Sequence, residues 1–175
     1  ADIIERTLYN GLISGISTGG TLFFYPNPLE SDGKYTFNHG SCTRQEWFDC
    51  SCCPTNLIRF IPSMPDLIYA IGQDDVYVNL YVSNKANIEL GKIKLGIVQE
   101  TNYPWEGKVK IILNPEKSGK FTMNLRVPYW MRNQAVPGDL YKYVETKSPE
   151  FQLFINGKEE VPTIDNGYLK IARKW

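Results

Sequence analysis

The sequence predicts a mainly β protein whose larger part is an antiparallel β-sandwich. Aromatic residues are abundant, with 11 Tyr, 8 Phe and 4 Trp among 175 residues, and most of them lie in short runs typical of β-strands. Turn-forming Gly, Pro, Asn and Asp separate these runs. Crossover helices of the kind that join parallel strands are not visible between them, so the pattern favours antiparallel pairing.

The first 65 residues differ from this pattern. A helix is predicted at the start, because five apolar residues follow helical spacing: Ile3, Ile4, Leu8, Leu12 and Ile13. Gly15 is placed to end this helix. A strand over residues 21–25 and a loop over residues 26–40 are expected to follow. A short helix is then predicted over residues 54–61, since Pro54 suits a first turn and Pro62 opposes extension.

From residue 67 onward the pattern is that of strands. They are predicted over residues 67–71, 76–82, 88–95, 108–113, 121–127, 151–155 and 168–172. Residues 128–149 read as a long insertion. We therefore expect two parts, residues 1–65 and residues 66–175, with the second cut short at its C-terminal end.

Charge and hydropathy exclude two classes of partner. Nineteen Lys and Arg balance 19 Asp and Glu, and no long run of either sign suits nucleic acid or an anionic membrane. The apolar runs are also too short to span a bilayer. No targeting segment is recognisable, so the sequence leaves the compartment open between cytoplasm and periplasm.

The four cysteines lie close together, between Cys42 and Cys53. Cys52 and Cys53 directly precede Pro54, so both thiols are expected at the positive end of a helix, which favours thiolate over thiol. Arg44 and Arg59 are expected to add positive charge. One interpretation is a reactive or metal-binding pair; the other is a local disulfide or inert thiols. The spacing C-x7-C-x-C-C is not that of zinc fingers or ribbons, and by itself it leaves both open.

A family resemblance favours the first interpretation. Residues 47–56 (WFDCSCCPTN) with Arg59 resemble the W-F-x-C-x-C-C-P-P-N-x-x-R signature of glycoside hydrolase family 127, the β-L-arabinofuranosidase family. Further segments resemble this family in the same order: residues 5–11 (ERTLYNG), 23–25 (FFY) with 27–29 (NPL), 78–81 (VNLY), 103–107 (YPWEG), 125–128 (LRVP) with Trp130, and 166–168 (NGY) with Arg173 and Trp175. The resemblance covers nearly the whole chain.

The resemblance implies a retaining glycosidase with an N-terminal (α/α)6 barrel, followed by β-sandwich domains. Residues 1–65 would be the end of that barrel. Cys52 would be the catalytic nucleophile and a zinc ligand, Cys53 a second zinc ligand, and Cys50 a neighbour that is not a ligand. Thr55 departs from the second proline of the signature, which should affect loop stiffness more than chemistry.

In this scheme a Glu and a Cys that complete the zinc site, and the acid/base glutamate, precede this chain. The intact enzyme would bind zinc and act on an arabinose-containing oligosaccharide or glycan. The site within residues 1–175 would be incomplete and free of metal, and the isolated chain inactive.

Other candidate residues have plainer interpretations. Glu46, Cys42 and Asp49 lie near the cysteine pair but match no ligand position, so they read as loop residues. His39 is a possible substrate or metal contact, although a single loop histidine is more often exposed or satisfied locally. The carboxylate pairs at residues 74–75 and 159–160 would point to opposite faces of a strand, which is poor geometry for acid/base partners.

Aromatic and basic residues of the second part are expected to be structural. The run Tyr103-Pro104-Trp105 could stack on a sugar, yet packing within the core or between domains is favoured. Arg126 and Arg173 are expected to be structural partners rather than substrate clamps.

Two alternatives to catalysis remain from the sequence. The chain could be a carbohydrate-binding or interaction module whose cysteines are local crosslinks. It could also be an inactive sandwich that forms homo-oligomers to cover an exposed surface.

Overall fold

The chain divides into two compact units, Ala1–Asp66 (unit 1) and Leu67–Trp175 (unit 2), in a computed structural model that describes residues 1–136, 138–146 and 150–175. It is mainly β with few helices, as the sequence predicts. Within the described ranges, no helix combines the length and the apolar character that crossing a bilayer requires.

Unit 1 is built from two helical segments and the loop between them. Helix α1 (Asp2–Thr7) continues as a π-helical turn (Leu8–Leu12) and a 3-10 turn (Ile13–Gly15), so the predicted end at Gly15 is confirmed. Helix α2 (Pro54–Ser63) starts at the predicted proline, passes Pro62 and leads into a 3-10 turn (Met64–Leu67).

The predicted strand over residues 21–25 is wrong. Phe23 makes isolated bridges with Ile16 and Gln45, and the next residues leave the pairing. The amide of Asn38 takes the place of a partner strand, since its Oδ1 accepts a bond of 2.7 Å from the Tyr25 backbone N–H. A side chain that satisfies the backbone in this way competes with a β-ladder.

Over residues 67–136, 138–146 and 150–175, unit 2 contains ten strands and one short 3-10 turn. The strands are β1 (Tyr69–Ile71), β2 (Asp75–Val78), β3 (Asn84–Leu90), β4 (Ile93–Thr101), β5 (Val109–Pro115), β6 (Lys120–Arg126), β7 (Leu153–Ile155), β8 (Lys158–Glu160), β9 (Thr163–Asp165) and β10 (Tyr168–Lys174). The 3-10 turn (Tyr129–Arg132) opens the predicted insertion over residues 128–149, of which positions 137 and 147–149 lie outside the described residues.

Three sheets arise from these strands. One has five strands in the order β1-β2-β6-β10-β9, one is the meander β3-β4-β5, and one is the hairpin β7-β8. The expectation of purely antiparallel pairing is wrong at one place, because β2 pairs with β6 in parallel. A parallel pair needs a long crossover, and here the β3-β4-β5 meander supplies it in place of a helix.

The predicted strand over residues 88–95 is two strands. Leu90 and Ile93 face each other across a hairpin turn in which Gly91 takes a φ of 58°. This left-handed conformation is one that glycine adopts readily. Apolar residues on both sides of the turn made the two strands read as one.

Both larger sheets contribute to one hydrophobic core in unit 2. It consists of Val76, Val78, Leu90, Leu95, Ile97, Phe121, Met123, Ile155 and Ile171. Alternate residues of β4 are buried, as expected for a strand with one face on the core. The core thus joins the meander to the five-stranded sheet.

The two arginines expected to be structural have that role. Arg126 is buried; its Nε donates to the Asn79 carbonyl and its guanidinium lies over the Tyr81 ring. Arg173 donates from Nη2 to both carboxylate oxygens of Glu160, at 2.7 and 2.8 Å.

Candidate active site

The cysteine pair lies where the chain enters α2. Cys53 is the N-cap residue and Pro54 occupies the first turn. The Cys52 carbonyl accepts bonds from Thr55 Oγ1 at 2.9 Å and from Asn56 Nδ2 at 3.1 Å. Thr55, which departs from the family signature, therefore holds the turn with its hydroxyl where a second proline would hold it by its ring.

Cys52 has two close polar neighbours. Its Sγ lies 2.7 Å from the Tyr25 hydroxyl oxygen and 3.8 Å from the Cys53 Sγ. All four cysteines carry free thiols, and a separation of 3.8 Å is well beyond the roughly 2.0 Å of a disulfide. The local disulfide that the cysteine spacing left open is therefore not formed in the structure.

Tyr25 belongs to a small aromatic cluster. Its ring centroid lies 4.3 Å from that of His39 and 5.4 Å from that of Phe48, and the His39 and Phe48 centroids are also 5.4 Å apart. Phe48 is buried. His39, a candidate for substrate or metal contact, thus packs against the tyrosine that contacts Cys52.

Asn38 organises the loop that carries Tyr25. It is fully buried, and besides accepting from Tyr25 it donates from Nδ2 to the carbonyls of Phe23 at 3.2 Å and Thr43 at 2.8 Å. These bonds fix the backbone around Tyr25 without regular secondary structure. Neither Tyr25 nor Asn38 was predicted from the sequence as a site residue.

The electrostatics favour a Cys52 thiolate. Hydrogen bonding from the Tyr25 hydroxyl lowers the pKa of Cys52, with a further contribution from the Cys53 thiol, against a smaller opposing effect of desolvation. The same contacts raise the pKa of Tyr25, because its neutral form is the donor. Tyr25 therefore stays protonated over the pH range in which Cys52 ionises.

The two arginines expected near the thiols have other partners. Arg44 Nη2 donates to the Ser14 carbonyl at 2.6 Å, and its guanidinium lies over the Phe24 ring. Arg59 Nη2 donates at 2.6 Å to Asn56 Oδ1, so it supports the turn through Asn56. The hydroxyl of Tyr25, rather than a cation, is the main donor to Cys52.

A complete metal site is not found in the part of the chain that the structure describes. Groups of three or more His, Cys, Asp or Glu side chains that could hold a metal ion are absent there. Cys42 donates its thiol to the Gly33 carbonyl at 3.3 Å. Glu46 and Asp49 join no such group.

Both units match domains of one family. Residues 1–66 match the model of the β-L-arabinofuranosidase GH127 catalytic domain. Residues 75–175 match the model of the GH127 middle domain. The two matches follow each other along the chain, as the ordered motif segments do.

Individual relatives agree with these matches. A non-reducing end β-L-arabinofuranosidase of Bifidobacterium longum subsp. longum is 30% identical over 185 residues, which covers 98% of this chain and 25% of that enzyme. A solved GH127 β-arabinofuranosidase is 50% identical with a TM-score of 0.88, over 99% of this chain and 26% of that chain. A GH127 β-L-arabinofuranosidase from Geobacillus stearothermophilus T6 is 37% identical with a TM-score of 0.80, over the same shares.

This chain therefore spans about a quarter of the length of these relatives. Because the family models match both units and together cover most of the chain, the resemblance carried by the sequence motifs is confirmed. The chain belongs to glycoside hydrolase family 127, the β-L-arabinofuranosidase family.

Proposed function

We propose that this chain contributes the nucleophile and two zinc ligands to a retaining glycosidase that cleaves β-L-arabinofuranosides. The observation that carries the proposal is the position of Cys52, with Tyr25 Oη at 2.7 Å and Cys53 Sγ at 3.8 Å. Cys52 would be the nucleophile and a zinc ligand, and Cys53 the second ligand. Arabinose-containing oligosaccharides or glycans are the proposed substrates, as the names of the relatives suggest.

The separation of the two thiols fits one zinc ion. Two thiolates bound to a tetrahedral zinc at about 2.3 Å would lie about 3.8 Å apart, and the two Sγ atoms are 3.8 Å apart. Zinc, when bound, keeps a thiol ionised at neutral pH. Two further ligands, a glutamate and a cysteine, would come from outside residues 1–175.

Cys52 would then act as the nucleophile of a two-step displacement. Its sulfur attacks the anomeric carbon, forming a C–S bond as the bond to the leaving oxygen breaks. A glutamic acid outside this chain protonates the leaving oxygen, and as a base it later activates the water that cleaves the C–S bond. Two inversions give net retention, with a thiolate in the place that a carboxylate takes in most retaining enzymes.

Tyr25 would position the sulfur throughout this cycle. Its hydroxyl donates to Cys52, and its ring packs against those of His39 and Phe48. A donor to the sulfur stabilises the thiolate before attack and again when the thiolate leaves. His39 packs against the Tyr25 ring, which favours a supporting role for the histidine.

The proposal also covers the domain to which each unit belongs. Unit 1 would be the end of a helical catalytic barrel, since it contains helices α1 and α2 and matches the catalytic domain. Unit 2 would be a β-sandwich, since residues of both larger sheets share one core. With its remaining zinc ligands and acid/base supplied from elsewhere, the isolated chain would be inactive.

Zinc protection of the thiols tests the proposal in the longer parent enzyme, where the two further ligands would be present. Iodoacetamide labelling with and without zinc, mapped to individual cysteines by tandem mass spectrometry, should show protection of Cys52 and Cys53. Cys42 and Cys50 are the internal controls and should stay reactive. Equal protection of all four thiols, or of none, would contradict the zinc assignment.

Activity of the longer parent enzyme tests the nucleophile. In that enzyme, Cys52→Ser should lower turnover of a nitrophenyl β-L-arabinofuranoside by at least about 10⁴-fold, as loss of a nucleophile does elsewhere. Cys50→Ser is the matched control and should retain most activity. Turnover of the same substrate by residues 1–175 alone would overturn the prediction of an inactive fragment.

A further inference from the structure

Asparagine followed by glycine occurs at three places in this chain. The pairs are Asn10-Gly11, Asn156-Gly157 and Asn166-Gly167. Asparagine is thermolabile, and this pair deamidates most readily, because glycine has no side chain to hinder its backbone nitrogen and is conformationally free. That nitrogen can reach the asparagine Cγ and close a succinimide ring. The surroundings that the fold gives each pair should therefore decide which of them reacts.

Two of these pairs, both in unit 2, form the same kind of turn. Asn156-Gly157 joins β7 to β8, and Asn166-Gly167 joins β9 to β10. The φ angles are 51° and 80° in the first turn and 48° and 82° in the second. Both are two-residue hairpin turns with positive φ at both positions, which is the turn that Asn-Gly favours. Sequence and backbone geometry are thus matched, and only the neighbours of the two turns differ.

The β9–β10 turn is restrained by neighbouring groups. The Gly167 carbonyl accepts from the Val127 backbone N–H at 2.8 Å. Gly167 is buried, and the Arg132 guanidinium lies so close to it that a Cβ there would be 2.9 Å from Nη2. Asn166 Nδ2 also donates to Asp165 Oδ1 at 3.0 Å. Ring closure at Asn166 would have to break or displace these contacts.

The β7–β8 turn is open by comparison. Asn156 and Gly157 are both exposed. Apart from the adjacent residues, no atom of the part of the chain that the structure describes lies within 4 Å of the place that a Gly157 Cβ would occupy. The β7–β8 ladder consists of three residue pairs, and short exposed ladders open at low free-energy cost. Little therefore opposes the backbone change that ring closure at Asn156 needs.

We propose that Asn156 is a site of spontaneous deamidation, and that Asn166 is protected in a turn of the same geometry. The backbone nitrogen of Gly157 loses its proton to solvent base and attacks the Asn156 Cγ. A C–N bond forms there as the bond from Cγ to the side-chain nitrogen breaks, and that nitrogen takes up a proton and leaves as ammonia. Water then opens the succinimide at either carbonyl, which leaves an aspartate or an isoaspartate at position 156.

Isoaspartate at this position would disturb the hairpin, because its backbone runs through Cβ and is longer by that atom. A two-residue turn of fixed geometry does not accommodate the longer backbone, so the pairing of β7 with β8 should weaken. Ile155, which directly precedes the turn, belongs to the core of unit 2. Deamidation should therefore lower amide protection over residues 153–160, while β6 and β10 keep theirs.

Ageing of the 175-residue chain in mildly alkaline buffer, followed by peptide mapping with tandem mass spectrometry, tests the site. Asn156 should deamidate at least about fivefold faster than Asn166, the ratio expected when one or two further hydrogen bonds must break first. In concentrated urea the two rates should converge, because both asparagines precede glycine. Equal or reversed rates in the folded chain, or a ratio that persists in urea, would overturn the proposal.

Two variants assign the difference to the surroundings of the turns. Asn156→Gly removes the reactive amide and leaves a Gly-Gly turn, which suits positive φ at both positions. After ageing, this variant should keep the amide protection over residues 153–160 that the unaltered chain loses. Arg132→Ala uncovers Gly167 and should speed deamidation of Asn166 at least about twofold, with the rate at Asn156 unchanged. An unmoved Asn166 rate, or equal loss of protection in Asn156→Gly, would contradict the proposal.

Discussion

The two units of this chain are held together by different forces. In unit 1, Leu8 and Phe48 are the large apolar side chains that are buried, and the loop around Tyr25 depends on the amide of Asn38. In unit 2, residues of three sheets share an extensive apolar core. The candidate catalytic thiols thus lie in a segment fixed by polar contacts, and the apolar stability of the chain lies elsewhere.

This difference has a consequence for stability and dynamics. Hydrogen bonds to backbone groups fix a conformation but contribute little net free energy, whereas apolar burial scales with area. Segments with few buried apolar contacts open at low free-energy cost. We therefore expect unit 1 to open locally well before unit 2 unfolds.

The largest effect is expected from a cavity in the core of unit 2. Met123 is 2% exposed and lies on β6 between β2 and β10. Met123→Ala should lower the free energy of unfolding by about 2–5 kcal/mol, measured by urea denaturation. Ile71→Ala, at an exposed position of β1, is the control and should cost less than about 1 kcal/mol. Similar costs for both variants would show that the apolar core does not supply the stability assigned to unit 2.

A local effect is expected from Asn38 in unit 1. Asn38→Ala would leave the Tyr25 N–H and the Phe23 and Thr43 carbonyls without their partner. An orphaned buried group costs about 1–3 kcal/mol, so amide exchange in residues 23–45 should accelerate. Protection of the β6 and β10 amides is expected to stay unchanged. Asn27→Ala, which removes exposed hydrogen bonds to Gly11 and Ser14, should have a smaller effect.

The same contrast explains which parts of the site could be predicted from the sequence. Pro54 after two cysteines is a local signal, and it placed both thiols at the start of α2. Tyr25 is 27 residues from Cys52 in sequence, and an irregular loop brings it there. No periodicity encodes that approach, because it depends on how a single amide, that of Asn38, bonds to three backbone groups.

Strand pairing in unit 2 shows a similar limit. Short aromatic and β-branched runs predicted most of the strands, since alternation along a strand reports one buried face. The parallel pairing of β2 with β6 could not be read from either strand. It depends on the β3-β4-β5 meander acting as the crossover, which is a property of the whole unit.

The pH dependence of Cys52 alkylation tests the contact between Tyr25 and Cys52 in unit 1. The pKa of Cys52 is lowered from its ordinary 9.0 chiefly by the Tyr25 hydroxyl. The thiolate is the species that iodoacetamide alkylates. With a chelator present, Tyr25→Phe should therefore move the midpoint of the alkylation profile of Cys52 to higher pH, with slower labelling below that midpoint.

The sign of the linked stability follows from the same shift. A thiol whose pKa is lowered by folding contributes stability above its unfolded-state pKa, and this is lost as pH falls through the native pKa. Removing the Tyr25 donor should bring the native pKa of Cys52 closer to its unfolded-state pKa. The pH range between these two values, over which this stabilisation is lost, should therefore become narrower. Cys42, which donates to the Gly33 carbonyl, should keep its alkylation profile in the variant. An unmoved Cys52 midpoint would show that the short contact with Tyr25 does not control the thiol.

The smallest effect is expected from a charge on the surface of unit 2. Glu100 and Lys110 face each other across β4 and β5, with an Oε2–Nζ distance of 2.9 Å and side chains 54% and 59% exposed. Exposed pairs contribute roughly 0–1 kcal/mol and are screened by salt. Glu100→Gln should therefore lower the free energy of unfolding by less than about 1 kcal/mol, and high salt should abolish the difference.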